Sequence, residues 1–195
     1  MIYKMKKIAI FASGSGSNAE NIIRFFENDP RNRVSLVLCN KPDAYVLERA
    51  KRLGVPALVF NREQFYHSDL ILDRLKAEAV DLIVLAGFLW KVPANLLAAY
   101  PDRIINIHPA LLPKFGGKGM YGEHVHEAVI AAGEKESGIT IHHVNDRYDE
   151  GAAIFQAICP VLPDDTPDTL AAKVHALEYA HFPRVIKEFA DSLPE

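Results

Sequence analysis

The sequence predicts an α/β protein built on a mostly parallel, twisted sheet with helices on both faces. Two observations carry this. Over the first 108 residues, five short apolar runs rich in β-branched residues alternate with stretches of helical periodicity. The runs are apolar throughout, as strands buried on both faces must be. The first run also leads through Ser13-Gly14-Ser15-Gly16-Ser17-Asn18 into a helix, a junction at which α/β sheets commonly receive anions.

Taken in order, residues 7–12 form the first strand, 13–17 a loop and 18–27 a helix. A strand over 34–40 and a helix over 43–53 follow, the helix stopped by Gly54, a residue suited to the left-handed turn after a helix end. Residues 57–60 make a short strand, and 65–78 carry one helical period. A strand over 82–86, a helix over 93–99 with Pro93 in its first turn, and a strand over 103–108 complete the parallel half. Its crossovers are expected to be right-handed. Residues 110–122, rich in Gly, Pro and Lys, read as a mobile loop, and 123–132 as a helix. Strands over 138–144 and 152–161 flank a polar loop, 145–151. After a turn at 163–167, residues 169–190 read as one long amphipathic helix. Leu170, Val174, Leu177, Val185 and Phe189 face its core side, and Pro183 kinks or breaks it.

The 195 residues suit a single domain, 1–195, with an N-terminal half to about 108 and a completing half over about 109–195. An apolar fraction of 49% is ample for a packed core. A formal net charge of −3 speaks against a broad nucleic-acid footprint, so an anionic ligand needs a local site. No window approaches the roughly 20 apolar residues of a membrane span, and the apolar run after the basic N-terminus is too short for a signal peptide. Cys39 and Cys159 are far apart in sequence and in no metal-ligand spacing. Both read as buried free thiols in a reducing, cytoplasmic compartment.

The densest chemistry lies in Asn106-Ile107-His108-Pro109-Ala110-Leu111-Leu112-Pro113. Strand alternation puts Asn106 and His108 on one face, at the carboxyl end where open α/β sheets bind ligands. Pro109 and Pro113 stiffen the exit. An amide donor beside a titratable ring suits holding an oxyanion and managing a proton. The Leu112–Pro113 bond is expected to be cis.

The glycine loop offers backbone N–H groups and a helix N-terminus to an anion. Read as Gly14-x-Gly16-x-x-Ala19 it also matches a dinucleotide fingerprint. The acid expected at the end of the second strand is replaced by Cys39-Asn40-Lys41, which favours a monophosphate. A tight turn without a ligand is the remaining alternative.

His142-His143-Val144-Asn145-Asp146-Arg147-Tyr148-Asp149-Glu150-Gly151 gathers titratable residues between two strands. One carboxylate beside His108 would favour the imidazolium, and Asp149 is chosen over Asp146 for that place. His124 and His126, two apart on a helix, do not face each other, and no metal is expected. Trp90 lines a ring-binding pocket or serves as an amphipathic anchor. Glu178 is expected to be exposed on composition alone.

These runs, with Leu85-Ala86-Gly87-Phe88 and Asp149-x-Gly151, occur in one order, and in that order the chain resembles the phosphoribosylglycinamide formyltransferase family from Lys7 to about Phe189. The Asn-x-His-Pro-x-Leu-Leu-Pro run marks folate-dependent formyltransferases and formyl hydrolases generally. The Ser-Gly-x-Gly-Ser-Asn loop narrows the likeness to the glycinamide enzymes and their formyltetrahydrofolate hydrolase relatives. The resemblance implies the Rossmann-like formyltransferase fold, with a phosphate-binding first half and a folate-binding second half. It implies formyl transfer from 10-formyltetrahydrofolate, a co-substrate, to glycinamide ribonucleotide in purine synthesis, without a metal. Asn106, His108 and Asp149 are then the catalytic trio. Gly16, Ser17, Asn18 and Pro109 contact the ribonucleotide, Glu178 its ribose. The backbone around Leu89, Trp90 and Val92, with Asn145, Asp146 and Tyr148, holds the pterin. Family members often carry Arg where this chain has Trp90. Partners are small molecules, with neither nucleic acid nor membrane, and the chain is expected to be a monomer or weak homodimer. A formyltetrahydrofolate hydrolase and a nicotinamide-dependent dehydrogenase are the rival readings.

Overall fold

The computed structural model describes residues 4–194. They form two compact units: residues up to Ile104 together with the stretch from Pro183 on, and Ile105–Phe182.

In the first unit, β1 (Lys6–Ala12), β2 (Asn32–Cys39), β3 (Ala57–Val59) and β4 (Leu82–Leu85) lie in the order β3-β2-β1-β4, all parallel. Helices α1 (Ser17–Phe26), α2 (Val46–Arg52), α3 (Arg62–Tyr66), α4 (Leu70–Ala77) and α5 (Ala94–Ala99) connect and follow them. Ile8, Ile10, Leu36, Leu38, Leu82 and Val84 are fully buried, which is why these strands read as unbroken apolar runs. α2 begins three residues later than its periodicity predicts. It ends as predicted, with Gly54 at φ 69°. The Gly54 N–H reaches the Lys51 carbonyl and the Val55 N–H that of Ala50, a Schellman closure.

The single helix expected over 65–78 is two. Asn61 and Gln64 exchange side-chain and backbone hydrogen bonds in a capping box that starts α3. The Ser68 hydroxyl donates to the Gln64 carbonyl and accepts from the Leu70 N–H, breaking the run before α4.

In the second unit, β5 (Ile104–His108, which starts on the last residue of the first unit), β6 (Glu136–His143) and β7 (Ala153–Pro160) pair antiparallel in the order β5-β6-β7. α6 (Glu123–Ala131) and the first part of α7 (Pro167–Ser192) pack here through Val125, Val129, Leu170, Val174 and Phe182. α7 runs through Pro183 without interruption in its helical assignment, and the division between units falls at that residue. Leu177 and Phe189 are only half-buried, unlike the core positions expected of them. The end of α7 belongs to the first unit, where the Lys6 ammonium donates to the carbonyls of Ala190 and Leu193 and caps the helix.

Candidate active site

Asn106 and His108 leave β5 on one face, opposite His142 and Thr140 of β6. The Asn106 amide Nδ2 donates to His142 Nε2 at 3.1 Å. His142 Nδ1 faces the His143 carbonyl at 2.8 Å and so carries the ring's hydrogen, leaving Nε2 as acceptor. His108, 3% exposed, donates from Nε2 to the Phe115 carbonyl at 2.7 Å. Its Nδ1 lies 3.6 Å from Asp149 Oδ2, and Asp149 Oδ1 lies 3.6 Å from His142 Nε2. The Gly117 N–H donates to Asp149 Oδ2 at 2.9 Å. The expected trio is therefore one cluster, with Phe115 and Gly117 of the 110–122 loop folded onto it.

The Asp-x-Gly spacing has a local cause. Asp149 is left-handed, φ 57°, and a Cβ on Gly151 would stand 1.7 Å from the His143 carbonyl oxygen. Only glycine lets the chain return to β6 so closely.

Burial sets the charges. It pushes the His108 pKa down by more than Asp149 and the Phe115 carbonyl raise it, so the ring is neutral near pH 7. Asp149 acts in the expected sense, favouring the charged ring, and burial opposes it. Burial alone would raise Asp149, but the neighbouring His142 and His108 rings and the Gly117 N–H hold it below the usual carboxylate value.

Glu178 corrects the expectation from composition. It is buried, accepts from His175 Nδ1 at 3.0 Å, and lies within electrostatic reach of His108 and His126. His126 is buried as well, its pKa lowered by burial against the raising influence of Glu178.

Three site residues escaped the sequence reading. His142 holds Asn106. Thr140 Oγ1 donates to the Ala110 carbonyl at 2.7 Å and accepts from the Leu112 N–H at 3.0 Å. Gln156 Nε2 reaches Thr140 Oγ1 and the Leu112 carbonyl. Together Thr140 and Gln156 pin the turn from Pro109 to Pro113, whose Leu112–Pro113 bond is cis as expected. The signal was available: Thr140 and His142 are polar at alternate positions of an apolar strand.

In the first unit, Gly16 is the N-cap of α1 at φ 74°, and the first intrahelical bond is Glu20 N–H to the Gly16 carbonyl. The N–H groups of that first turn, Ser17 and Asn18 included, have no intrahelical acceptor. α2 latches the loop: the Val46 N–H donates to Gly14 and Arg49 Nε to the Ser15 carbonyl at 2.8 Å. Hydrogen bonds from Arg49 and then Arg24 bring the Glu20 carboxyl down to about 2. A Cβ on Gly16 would sit 2.4 Å from Val46 Cγ2, so glycine is needed there for packing whether or not a phosphate binds.

The Leu89 N–H is engaged by Ser13 Oγ at 3.0 Å, and Val92 is buried. Trp90 joins Phe60, Phe65, Tyr66 and Phe88, with the Arg62 guanidinium 5.1 Å from its ring centroid. Trp90 also lines a cavity of about 410 Å³ with Asn40, Phe60, Asn61, Arg62 and Gln64. Asn145, Asp146 and Tyr148 are exposed, Asn145 Oδ1 accepting from the Arg147 N–H. Among the described residues no group of three or more His, Cys, Asp or Glu is arranged to hold a metal ion, and no helix is long and apolar enough to cross a membrane.

An amide and an imidazole at a strand's carboxyl end, backed by a half-buried carboxylate, are groups that acyl transfer can use, and residues 6–186 match the model of the formyl transferase family. The chain is 40% identical to the phosphoribosylglycinamide formyltransferase of Haemophilus influenzae, covering 96% of this chain and 88% of that one. It is 42% identical to the chloroplastic enzyme of Arabidopsis thaliana, covering 94% of this chain and 65% of that longer protein. The crystal structure of glycinamide ribonucleotide transformylase 1 from Symbiobacterium toebii superposes with a TM-score of 0.88 at 38% identity, covering 98% and 91% of the two chains. The chain belongs to the phosphoribosylglycinamide formyltransferase family of formyl transferases.

Proposed function

We propose that this chain transfers the formyl group of 10-formyltetrahydrofolate to the primary amine of glycinamide ribonucleotide, in purine synthesis. The observation that carries this is the Asn106–His108–Asp149 cluster. The Asn106 amide and the His108 ring donate to the oxygen that gains charge as the amine adds to the formyl carbon. One such donor typically contributes roughly 3–4 kcal/mol to lowering the barrier. His108 donates from Nε2 as a neutral ring, which requires the Phe115 carbonyl to yield that hydrogen. Asp149, ionised, takes up the amine's proton, through water, and returns it to the departing folate nitrogen. The amine is itself the nucleophile, so no covalent enzyme intermediate enters.

Gly16, Ser17 and Asn18 receive the 5′-phosphate, supported by their place at the N-terminus of α1. Glu178 and Pro109 contact the rest of the ribonucleotide. The backbone of Leu89, Trp90 and Val92, with Asn145, Asp146 and Tyr148, holds the pterin, and the Leu89 carbonyl serves rather than its N–H. Two buried free cysteines support a cytoplasmic location. Formyl transfer, followed by release of tetrahydrofolate, tests this. Release that depends on glycinamide ribonucleotide supports it. Release without any amine would make the chain a hydrolase, and no release would remove the reading.

A further inference from the structure

Ser13 is the last residue before the glycine loop and is 2% exposed. Its N–H donates to the Gly87 carbonyl at 3.0 Å, and its hydroxyl oxygen accepts the Leu89 N–H at 3.0 Å. β1 and β4 are parallel neighbours with Phe11 opposite Leu85, and the Ala86 N–H continues the ladder to the Phe11 carbonyl. The two strand exits therefore run side by side, and past the ladder Ser13 stitches them twice.

The far side of the glycine loop is fixed as well. The Gly14 and Ser15 carbonyls are bound by Val46 and Arg49, and Gly16 rests on Val46. An anion seated on the loop is thus answered by a segment pinned on one side by α2 and joined on the other, through Ser13, to Leu89. From Leu89 the chain runs directly to Trp90 and the buried Val92.

We propose that Ser13 is a positioning residue that makes the affinities of the two substrates interdependent. Occupancy of the glycine loop sets the Ser13 hydroxyl, and that hydroxyl sets the Leu89–Val92 backbone against which the folate lies. The proposal rests on the assignment of these two segments to the ribonucleotide and the folate. Because linkage is reciprocal, each ligand tightens the other by the same factor.

Calorimetric titration of the full chain tests this with folic acid, which carries no formyl group, and glycinamide ribonucleotide. In the wild type, saturating ribonucleotide should tighten folic acid roughly 5-fold or more, within the usual range for coupled sites. In Ser13→Ala the ratio should fall to within about twofold of unity, even where each ligand alone still binds. A residue that only stabilised the fold would lower the melting temperature and leave the ratio alone. Should Ser13→Ala not fold, Ser13→Cys, similar in size but a weaker acceptor, is read the same way. A wild-type ratio of one, or a variant that keeps the wild-type ratio, overturns the proposal while leaving the assigned function standing. A wild type that binds neither ligand overturns both.

Discussion

The Nε2 of His108 stands 2.7 Å from the carbonyl oxygen of Phe115, a residue held in the left-handed conformation at φ 54°. That contact occupies the hydrogen a formyl oxygen would need. Two residues further on, the Gly117 N–H binds the Asp149 carboxylate. The same short segment thus engages the ring and its acid together.

His108→Asn loses the ring and with it the Nε2 donor, because the shorter amide reaches only to about where Nδ1 stood. We expect kcat to fall about 100-fold or more, on the scale of a lost oxyanion donor, with little change in melting temperature. Asp149→Asn should fall by a similar factor. Steady-state kinetics beside thermal melts check this. Near-normal turnover in either folded variant removes that residue from the chemistry.

Stability should drop on mild acidification. Burial depresses the pKa values of His108 and His126 in the folded chain. Below the ordinary histidine value near 6.5 the unfolded state binds more protons than the native state, so stability rises with pH there. Both contributions are present above pH 6.5 and are lost as the pH falls through that value toward the depressed ones. Urea unfolding at pH 7.5 and 5.5 should show the lower midpoint at pH 5.5, and His126→Gln should narrow the difference. An unchanged or widened difference would show that His126 does not contribute.

His142 and Asn106 should behave as one unit. With His142 Nε2 as its acceptor, the Asn106 amide is oriented before any substrate arrives. His142→Leu should lower kcat about tenfold or more, and Asn106→Ala by more. The double variant should lose less than the product, because contacting residues are not additive. Full multiplicativity in a double-mutant cycle would mean that His142 acts on something other than Asn106.

What the sequence disclosed, and what it hid, follows from the range of the interactions. The parallel half was legible because strands such as β4, Leu82–Leu85, are apolar end to end and separated by helical periods. The cluster partners Asn106 and His108 were legible because both lie on one strand. His142 was visible as a polar position on an apolar strand, but its pairing with Asn106 was not, since that depends on the antiparallel register of β5 and β6, which composition does not reveal. The break between α3 and α4 was hidden by a hydrophobic period that continues past Ser68, although Asn61-x-x-Gln64 was a readable capping box. Glu178 looked solvated because burial of a carboxylate depends on groups brought from elsewhere in the fold, here His108 and His126. The burial that opposes Asp149 at His108 was hidden for the same reason: a sequence shows the carboxylate but not how deeply the ring is buried.

Gly16 is held by packing, so a side chain there reports on the fold. Gly16→Ala forces a Cβ against Val46 and strains a φ of 74°. Left-handed backbone and overpacking together should cost on the order of 3 kcal/mol. Denaturant unfolding should show that loss with or without ligand. Wild-type stability would mean that α2 gives way more easily than its contacts suggest.

The phosphate assignment needs a variant whose effects on fold and binding have opposite signs, and Ser17→Asp supplies one. Ser17 is the first residue of α1 and half-buried. A carboxylate there complements the positive end of the helix, typically worth about 0.3–1 kcal/mol, so the melting temperature should hold or rise. The same charge meets the 5′-phosphate at close range and removes the hydroxyl donor. The KM for glycinamide ribonucleotide should rise roughly tenfold or more, a modest repulsion on the Coulomb scale for partly exposed charges. The KM for the folate, measured at saturating ribonucleotide, should stay within about twofold. The increase should shrink at high ionic strength, where such repulsion is screened. Equal loss for both substrates would point to a disturbed loop. An unchanged ribonucleotide KM in a stable variant would place the phosphate elsewhere.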